Sequence, residues 1–449
     1  MNNIFNPKAI ALVGATNRKG SVGLGLANNL LLGKNKRQIF WVNPNRKTLF
    51  GKHVYSSILD IHENLDLVVI AIPAKFVISV VRECIEKKVG GIIVISAGFA
   101  ETGSRFGQDE QKKLVKLTQE AGIPLIGPNC LGIIDTYSEL NASFSPITPS
   151  KGNISFISQS GALIDSVLDM VDENYGFRRI ISVGNESMLE ITDFLEYLKN
   201  DPETKVIILY LEGVKNGRKL FKLAKTITKT KPIIVLKAGR TKSGGEAVKS
   251  HTASLAGDDV VFQTACRQSG MVLVEILEEV IALSKLFSWQ PKIKNGRIGI
   301  ITNGGGVGVL TADYCEKLGI PLAKLSSVTV KRMINSGKMN LAFSKRNPLD
   351  LVGDALADRY QVAIESWLSQ SNVDGLIIIL TPQIMTQPRK TAEIIIQAKK
   401  RFSQKIIITV FSGGKCTRSA VSLLEKNKIP NFIDSYWAVW GMKQLIKRR

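Results

Sequence analysis

Short apolar runs alternate with amphipathic stretches along almost the whole chain. Residues 9–13, 39–42, 67–72 and 91–96 are continuous, β-branched and followed by Gly, Asn or Pro. That pattern predicts buried parallel strands. Between them, 22–32, 75–88 and 108–120 carry apolar residues at helical spacing. This is βαβ punctuation, and it predicts a doubly wound sheet that closes near 124–128.

A second set follows the same rule. Strands are expected at 153–157, 179–183, 205–211 and 232–237, with helices at 162–174, 188–199 and 217–228. A last strand at 271–274 and a helix at 277–287 complete it. The segment SWQPKIKNG, 288–296, is polar, holds Pro and Gly, and reads as a linker. A third set opens with a strand at 297–302 and the glycine cluster NGGGVG, 303–308, followed by strands at 373–380 and 405–410. The fold class is therefore α/β, with three consecutive α/β units at 1–130, 131–288 and 296–449. A length of 449 residues suits that number, since domains run to about 100–200 residues each.

Composition narrows the class without naming a function. Hydrophobic residues are 44% and charged residues 22%, which excludes disorder, collagen-like repeats and a coiled coil as descriptions of the whole chain. Lys+Arg is 60 against Asp+Glu 38, a net charge of +22. Such a balance favours anionic partners, although a solvated Lys-rich surface accounts for it as readily. The basic residues are spread rather than blocked into arms, aromatics are 7%, and no RNP1-type stacking motif is present, so no nucleic-acid partner is expected.

Five cysteines, none in a CxxC pair, argue against a disulfide framework or a structural metal site and for a reducing compartment. The first residues, MNNIFNPKAIALVG, have neither a basic n-region nor a long apolar h-region, so no signal peptide is expected. No run approaches the ~18 apolar residues of a membrane span. The expectation is a cytoplasmic protein with no membrane association.

Candidate chemistry lies in the loops after the strands. The first strand runs into GATNRKGSVG, 14–23, where glycine permits a tight turn and a helix N-terminus offers N–H groups to a phosphate. The spacing is not GxGxxG. The second strand ends in WVNPN with Arg46 and Lys47 beyond, whereas a NAD ribose favours an acidic residue there. Basic and amide groups suit a phosphorylated adenosine better. IPAKF, 72–76, and GPNCLGI, 127–133, open onto the same kind of edge.

In ISQSGALIDS, 157–166, Ser158 or Ser160 can cap the next helix and turn its N–H groups toward an anion. The pattern is not the GxSxG nucleophile elbow, which gives a serine hydrolase little support. The stretch KAGRTKSGGEAVKSHTASLAGDD, 237–259, reads as a long loop rich in Gly, Ser and Thr. It holds His251, one of three histidines; His53 and His62 read as structural. Ser250, Thr252 and Ser254 offer hydroxyls to a phosphate. Glu212, ending VIILYLEG, would hold one imidazole nitrogen and leave the other as nucleophile.

Taken together these residues resemble a known family. SHTASLAG, 250–257, is similar to the phosphohistidine loop of the nucleoside-diphosphate-forming acyl-CoA synthetases of the succinyl-CoA synthetase superfamily. The order of GATNRKGSVG, WVNPN, IPAKF, GPNCLGI, ISQSGAL and YLEG agrees, and NGGGVG with NPLDL, 347–351, looks like this branch's ligase domain. The branch that matches best is the α subunit of ADP-forming acetate–CoA ligase, and the likeness covers essentially the whole chain.

The resemblance implies a Rossmann-like CoA-binding domain followed by two flavodoxin-like domains. It implies a reaction in which ATP phosphorylates His251, a small carboxylate takes the phosphoryl group, and CoA thiol attacks the acyl phosphate. Gly14, Ala15, Thr16, Lys19 and Gly23 would line the CoA phosphate and adenine end, continued by Asn43, Pro44, Ile72 and Pro73. Asn129, Cys130 and Gly132 would lie at the pantetheine end. Ser160 and Gly161, with Ser250 and Thr252, would face the phosphohistidine, which Glu212 would orient.

Two departures qualify this. Ala253 stands where the family usually has glycine, which restricts positive φ. The chain also has no recognisable ATP-grasp unit and no GxxxxGK[ST] signature. The implied partner is therefore a separate ATP-grasp β subunit carrying ATP/ADP with Mg²⁺, in an α2β2 heterotetramer. No metal site is expected on this chain. The competing reading is a non-catalytic sensor of CoA or acyl-CoA with the same fold.

Overall fold

Each apolar run became a strand because its β-branched residues are covered on both faces, as parallel sheets require. The computed structural model describes residues 1–252, 258–293 and 295–447, apart from the side chains of 249–252. These residues form two compact units, Met1–Ile281 and Ala282–Arg449.

The first unit holds two sheets. Strands β1 Ala9–Val13, β2 Gln38–Val42, β3 Thr48–Leu49, β4 Lys52–Tyr55, β5 Leu67–Ile70, β6 Ile92–Val94 and β7 Leu125–Ile126 are ordered β3-β4-β2-β1-β5-β6-β7. All pairings are parallel except β3 with β4. The strand order reverses between β1 and β5, so their carboxyl ends flank the crevice where ligands bind in such sheets. The second sheet holds β8 Gly132–Asp135, β9 Leu140–Ser143, β10 Lys151–Ser158, β11 Phe177–Ser182, β12 Val206–Leu211, β13 Ile233–Lys237 and β14 Val272–Val274. Its order is β14-β13-β12-β10-β11-β8-β9, with β8 and β9 antiparallel at one edge. The helices are α1 Asn2–Phe5, α2 Val22–Leu32, α3 Val77–Glu86, α4 Arg105–Glu120, α5 Gly161–Met170, α6 Ile191–Lys199, α7 Gly217–Ile227, α8 Lys242–Thr252 and α9 Asp259–Ser269.

One apolar core runs through both sheets of this unit. Leu26 and Leu30 of α2 pack with Leu140 and Ala142 of β9, and Phe5 with Phe194. Asn29 adds two bonds across the same seam, its Nδ2 donating to the carbonyls of Ser143 and Ser145 at 2.8 Å each. Beside it lies a buried ion network. Asp135 accepts from Arg178 Nη1 at 2.5 Å and Arg179 Nε at 2.7 Å, and Arg179 Nη1 reaches Asp201 at 2.6 Å. Asp135 is 1% exposed. Its remaining lone pairs take the N–H groups of Tyr137 and Ser138 at 3.0 and 2.9 Å. The Arg179 guanidinium rests on the Phe5 and Tyr197 rings.

Helix α10, Leu277–Trp289, leads into the second unit. There β15 Ile298–Thr302, β16 Leu349–Asp350, β17 Gly375–Leu380 and β18 Ile406–Phe411 form a parallel sheet in the order β16-β15-β17-β18. Helices α11 Gly305–Lys317, α12 Ser327–Asn335, α13 Ala357–Leu368, α14 Pro388–Arg401, α15 Arg418–Lys426 and α16 Ser435–Ile446 accompany it. Trp367, Tyr360, Leu376 and Ile378 lie in its core.

Two expectations need correction. The stretch 237–259 is not one long loop: α8 occupies 242–252. Thr241 Oγ1 accepts from Gly244 N at 3.1 Å and caps the helix, and Val248 is buried. A cap and one anchoring apolar residue therefore override two poor helix formers, Gly244 and Gly245. The linker expected at 288–296 is also shorter, because α10 continues to Trp289. The short strands β3, β4, β7, β8, β9 and β16, each of four residues or fewer, were not anticipated by the sequence pattern.

Removing one partner of a buried, paired charge leaves the other uncompensated. Asp135→Ala is expected to lower unfolding free energy by about 3–5 kcal/mol, read from the urea midpoint of the first unit's transition. A change under about 1 kcal/mol would show that the arginines are re-solvated without cost.

Candidate functional site

β1 ends on a turn that only glycine allows. Gly14 has φ +95°, and a Cβ there would stand 2.3 Å from the Ala71 carbonyl oxygen. Its N–H donates to Val42 O at 2.9 Å. Gly23, in the first turn of α2, faces back, and its Cβ would stand 2.3 Å from Gly14 O. The two glycines let α2 start directly above β1. Ser21 caps that helix, accepting from Leu24 N at 3.3 Å. Asn43, at the end of β2, donates from Nδ2 to Ala15 O at 2.8 Å and so braces the turn. Ala15 is buried, Thr16 Oγ1 accepts from Arg18 N at 3.2 Å, and Arg18, Lys19 and Pro44 are exposed. The positive end of the α2 dipole and two cations thus face solvent together.

Next to this turn opens a cleft of about 540 Å³ lined by Val22, Ile72, Pro73, Asn129, Cys130 and Gly161 among others. Ser96 clamps its wall, with Oγ donating to Ile72 O at 2.5 Å and accepting from Ile72 N at 3.2 Å. Asn129 has φ +57°, a strained value for a non-glycine residue. The Cys130 thiol bonds Val94 O at 3.3 Å, and burial pushes its pKa up to about 12. Gly132 lies buried within β8, where a Cβ would meet Ala142 O at 2.1 Å.

The second sheet contributes to the same cleft. β10 runs into Ser158, whose Oγ accepts from Ser160 N at 3.1 Å and donates to Ser160 O at 2.7 Å. Of the two serines considered as caps, Ser160 is the one: it accepts from Leu163 N at 3.3 Å. Gly161 follows, with Leu131 Cβ 2.9 Å from where its own Cβ would be. The N-terminus of α5 therefore opens into the cleft.

Glu212 follows β12 and is 5% exposed. Burial together with the nearby Glu212 charge pushes the Tyr210 pKa up to about 12. Lys237 Nζ donates to Glu212 O at 2.9 Å, and its pKa is lowered by desolvation. Ser250, His251 and Thr252 belong to the last turn of α8, which lies against the 3₁₀ turn Ala100–Thr102. Their side chains, and Ala253 and Ser254, lie outside the described residues.

The sequence pattern passed over one segment, GNES at 184–187, at the carboxyl end of β11. Asn185 Nδ2 donates to Glu101 Oε2 at 2.5 Å and to Gln111 Oε1 at 2.9 Å, while its Oδ1 accepts from Asn129 Nδ2 at 3.3 Å. Ser187 Oγ donates to Gly127 O at 2.7 Å. Glu186, buried, accepts from Gln159 Nε2 at 2.6 Å and from Ile191 N at 2.8 Å. A Gly-Asn pair after a strand is a turn signal, but nothing local predicts that this turn joins the cleft wall to the serine turn.

In the second unit, NGGGVG spans the end of β15 and the start of α11. Asn303 is fully used: Oδ1 accepts from Thr381 N at 2.8 Å and Nδ2 donates to Thr381 O at 2.9 Å. Asn347 of NPLDL donates to Ile298 O and Ala323 O at 2.8 and 2.9 Å. Among the described residues no three His, Cys, Asp or Glu side chains gather as a metal site, and no helix is long and apolar enough to cross a membrane.

Comparisons with known proteins agree with this geometry. Residues 8–136 match a family model described as CoA binding domain, and residues 151–287 one described as succinyl-CoA ligase like flavodoxin domain. The chain is 40% identical to acetate–CoA ligase [ADP-forming] II subunit alpha of Pyrococcus furiosus, over 95% of this chain and 93% of that one. It is 39% identical to acetate–CoA ligase [ADP-forming] I of Archaeoglobus fulgidus, over 99% of this chain but 63% of that longer protein. The solved dinucleotide forming acetyl-coenzyme A synthetase 1 of Ca. Korarchaeum cryptofilum, in complex with phosphate and ADP, superposes with a TM-score of 0.93 at 33% identity. That match covers 99% of this chain and 96% of the other.

Thiol chemistry tests the cleft wall. Cys84, Cys130, Cys266 and Cys315 are buried, and Cys416 is exposed. Iodoacetamide at pH 8 is expected to modify Cys416 and spare Cys130, because the thiolate is the nucleophile; peptide mass mapping of the native protein reads the outcome. Rapid alkylation of Cys130 would mean that the cleft opens more widely than described.

Proposed function

The chain belongs to the ADP-forming acetate–CoA ligase family, and from that premise we propose that it is the α subunit of an acyl-CoA synthetase. The reaction is carboxylate + CoA + ATP ⇌ acyl-CoA + ADP + phosphate. The observation that carries this reading is the shared cleft: Val22 at the start of α2, the Ile72–Pro73 loop, the Asn129–Cys130 loop and the N-terminus of α5 line one crevice within one compact unit, beside the glycine turn of the first sheet.

The residues fit CoA. The close approach of Gly14 and Gly23 leaves backbone N–H groups and the α2 terminus free of side-chain cover, with Lys19 and Arg18 in solvent beside them. These would take the phosphate and adenine end, with Ala15, Thr16, Asn43 and Pro44 shaping the turn. Ile72, Pro73, Asn129 and Cys130 would line the pantetheine arm. Gly132 contributes by letting β8 pass close to β9.

His251 would be the phosphoryl carrier. In the activation direction its ring nitrogen attacks the γ-phosphorus of ATP and ADP leaves. A carboxylate oxygen then attacks the phosphohistidine, and the imidazole departs with an acyl phosphate formed. The CoA thiol, losing its proton, attacks the acyl carbon, and inorganic phosphate leaves. Such transfers need positioning and charge stabilisation above all. The α5 terminus at Ser160 and Gly161 supplies a fixed positive end, Ser250 and Thr252 add hydroxyl donors, and Glu212 orients the imidazole.

The chain is divided functionally at 1–130, 131–288 and 296–449. A partner chain with an ATP-grasp fold, holding ATP/ADP and Mg²⁺, completes the cycle in an α2β2 assembly in the cytoplasm. The Pyrococcus furiosus relatives are each named as a subunit alpha, which supports a partner chain. Against the sensor reading, which Ala253 motivates, stands the presence of both His251 and Glu212, neither of which a pure binder needs.

Incubation with γ-³²P-ATP and the ATP-grasp partner is expected to place acid-labile, base-stable label on this chain. His251→Ala should remove it entirely, and Glu212→Gln should slow it by about 100-fold. Tight CoA binding without label on the wild type would establish the sensor instead.

A further inference from the structure

Gln159 stands between the two serines of the turn at the cleft, and its side chain faces away from it. Its Oε1 accepts from the backbone N–H of both Glu212 and Gly213, the latter at 3.1 Å. Its Nε2 donates to Gly213 O at 3.1 Å and to Glu186 Oε2 at 2.6 Å. Its own N–H bonds Tyr210 O at 3.3 Å. Two backbone donors on one amide oxygen leave no alternative orientation of that amide. The turn 158–160 is thus riveted to the strand end 210–213 by main chain and side chain together.

Glu186 holds the far side of the rivet. It is 4% exposed, and its φ is +50°, a left-handed backbone state that is strained in a non-glycine residue. Both of its carboxylate oxygens face N–H donors, Gln159 Nε2 and Ile191 N, an arrangement that favours the ionised form. Burial pushes its pKa up, against those hydrogen bonds and the Lys215 charge. A buried charge on a strained backbone is a poor way merely to hold a loop, since an apolar pair would do so at lower cost. Its other neighbours point to a use. Asn185, next in the chain, ties the same turn to Asn129 of the cleft and to Glu101, in the 3₁₀ turn that α8 lies against.

We propose that Gln159 and Glu186 are a positioning pair that fixes Glu212 in register with the Ser158–Gly161 turn. Neither touches substrate. Through them the carboxylate that orients the phosphoryl carrier and the helix terminus that receives the phosphate keep one geometry. This rests on the phosphohistidine reading above.

The pair can be exchanged without losing its logic. Gln159→Glu alone sets two carboxylates against each other, and Glu186→Gln alone removes an acceptor from one of two donors. In the double variant Q159E/E186Q, the carboxylate introduced at position 159 still accepts from Glu212 N and Gly213 N. The carboxamide introduced at position 186 donates to that carboxylate from its nitrogen and accepts from Ile191 N at its oxygen. The bond to Gly213 O is lost and an oxygen–oxygen contact takes its place, the one feature the exchange does not restore. The experiment measures His251 labelling rate, CoA affinity and hydrogen exchange at the Glu212 and Gly213 amides, in the chain with its ATP-grasp partner.

Each single variant is expected to slow labelling at least about tenfold with CoA affinity unchanged within about twofold, and to speed exchange at both amides. The double variant should return to within about threefold of wild type. Single variants that label at the wild-type rate would overturn the proposal. So would a fall in labelling and CoA affinity together, or a double variant no better than the singles. If the wild type takes no label, the phosphohistidine reading fails, and the exchange data alone judge the pair: unchanged amides would overturn it, faster exchange restored by the double variant would uphold it.

Discussion

At the carboxyl end of every parallel strand the chain must leave the sheet, and the backbone groups it exposes there must find partners. This protein meets that constraint repeatedly with a side-chain carboxamide. Asn43 holds the turn after β1, Gln159 joins the ends of β10 and β12, Asn185 joins the loops after β6, β7 and β11, and Asn303 ties the end of β15 to Thr381. An amide offers both donors and an acceptor on one rigid plane, so a single residue can satisfy two strands at once. The turns at 14–16, 158–161 and 184–187 are cross-braced for this reason, and such bracing helps place a helix terminus or a carboxylate within the tolerance that phosphoryl transfer requires.

Glycine does the complementary work. Where amides hold strands together, Gly14, Gly23 and Gly161 let backbone come closer than any Cβ permits. The result at α2 and α5 is two serine-capped helix N-termini, one facing solvent with Arg18 and Lys19 and one facing the cleft. Separating the two jobs suits the two anions of the proposed reaction, a CoA phosphate and a phosphoryl group in transit.

The order of strands and helices was legible because the runs are long and continuous: β1, β10, β12, β17 and β18 all coincide with β-branched segments. Gly14, Ser160 and Glu212 were legible as well, because each sits at a strand end followed by a helix signal. Helix α8 was not. Its glycines and hydroxyls favour a loop, and only a Thr241 cap and the burial of Val248 tip the balance. The GNES turn was equally silent, since an exposed polar turn and a buried structural one have the same composition.

What the sequence by itself determined is local: strand and helix periods, the glycines at two turns, the serine cap, and the motif order that marks the family. Only the tertiary structure decided which loops meet. That Asn129, Gly161 and Ile72 line one cleft depends on strand order, which no period of 2 or 3.6 encodes. That Glu186 bonds Gln159, 27 residues away, and Gln159 bonds the Glu212 amide, 53 residues away, is set by β10 lying between β11 and β12. A buried carboxylate is tolerable only where such neighbours supply its donors, and that supply is a property of the packed fold rather than of any segment within it.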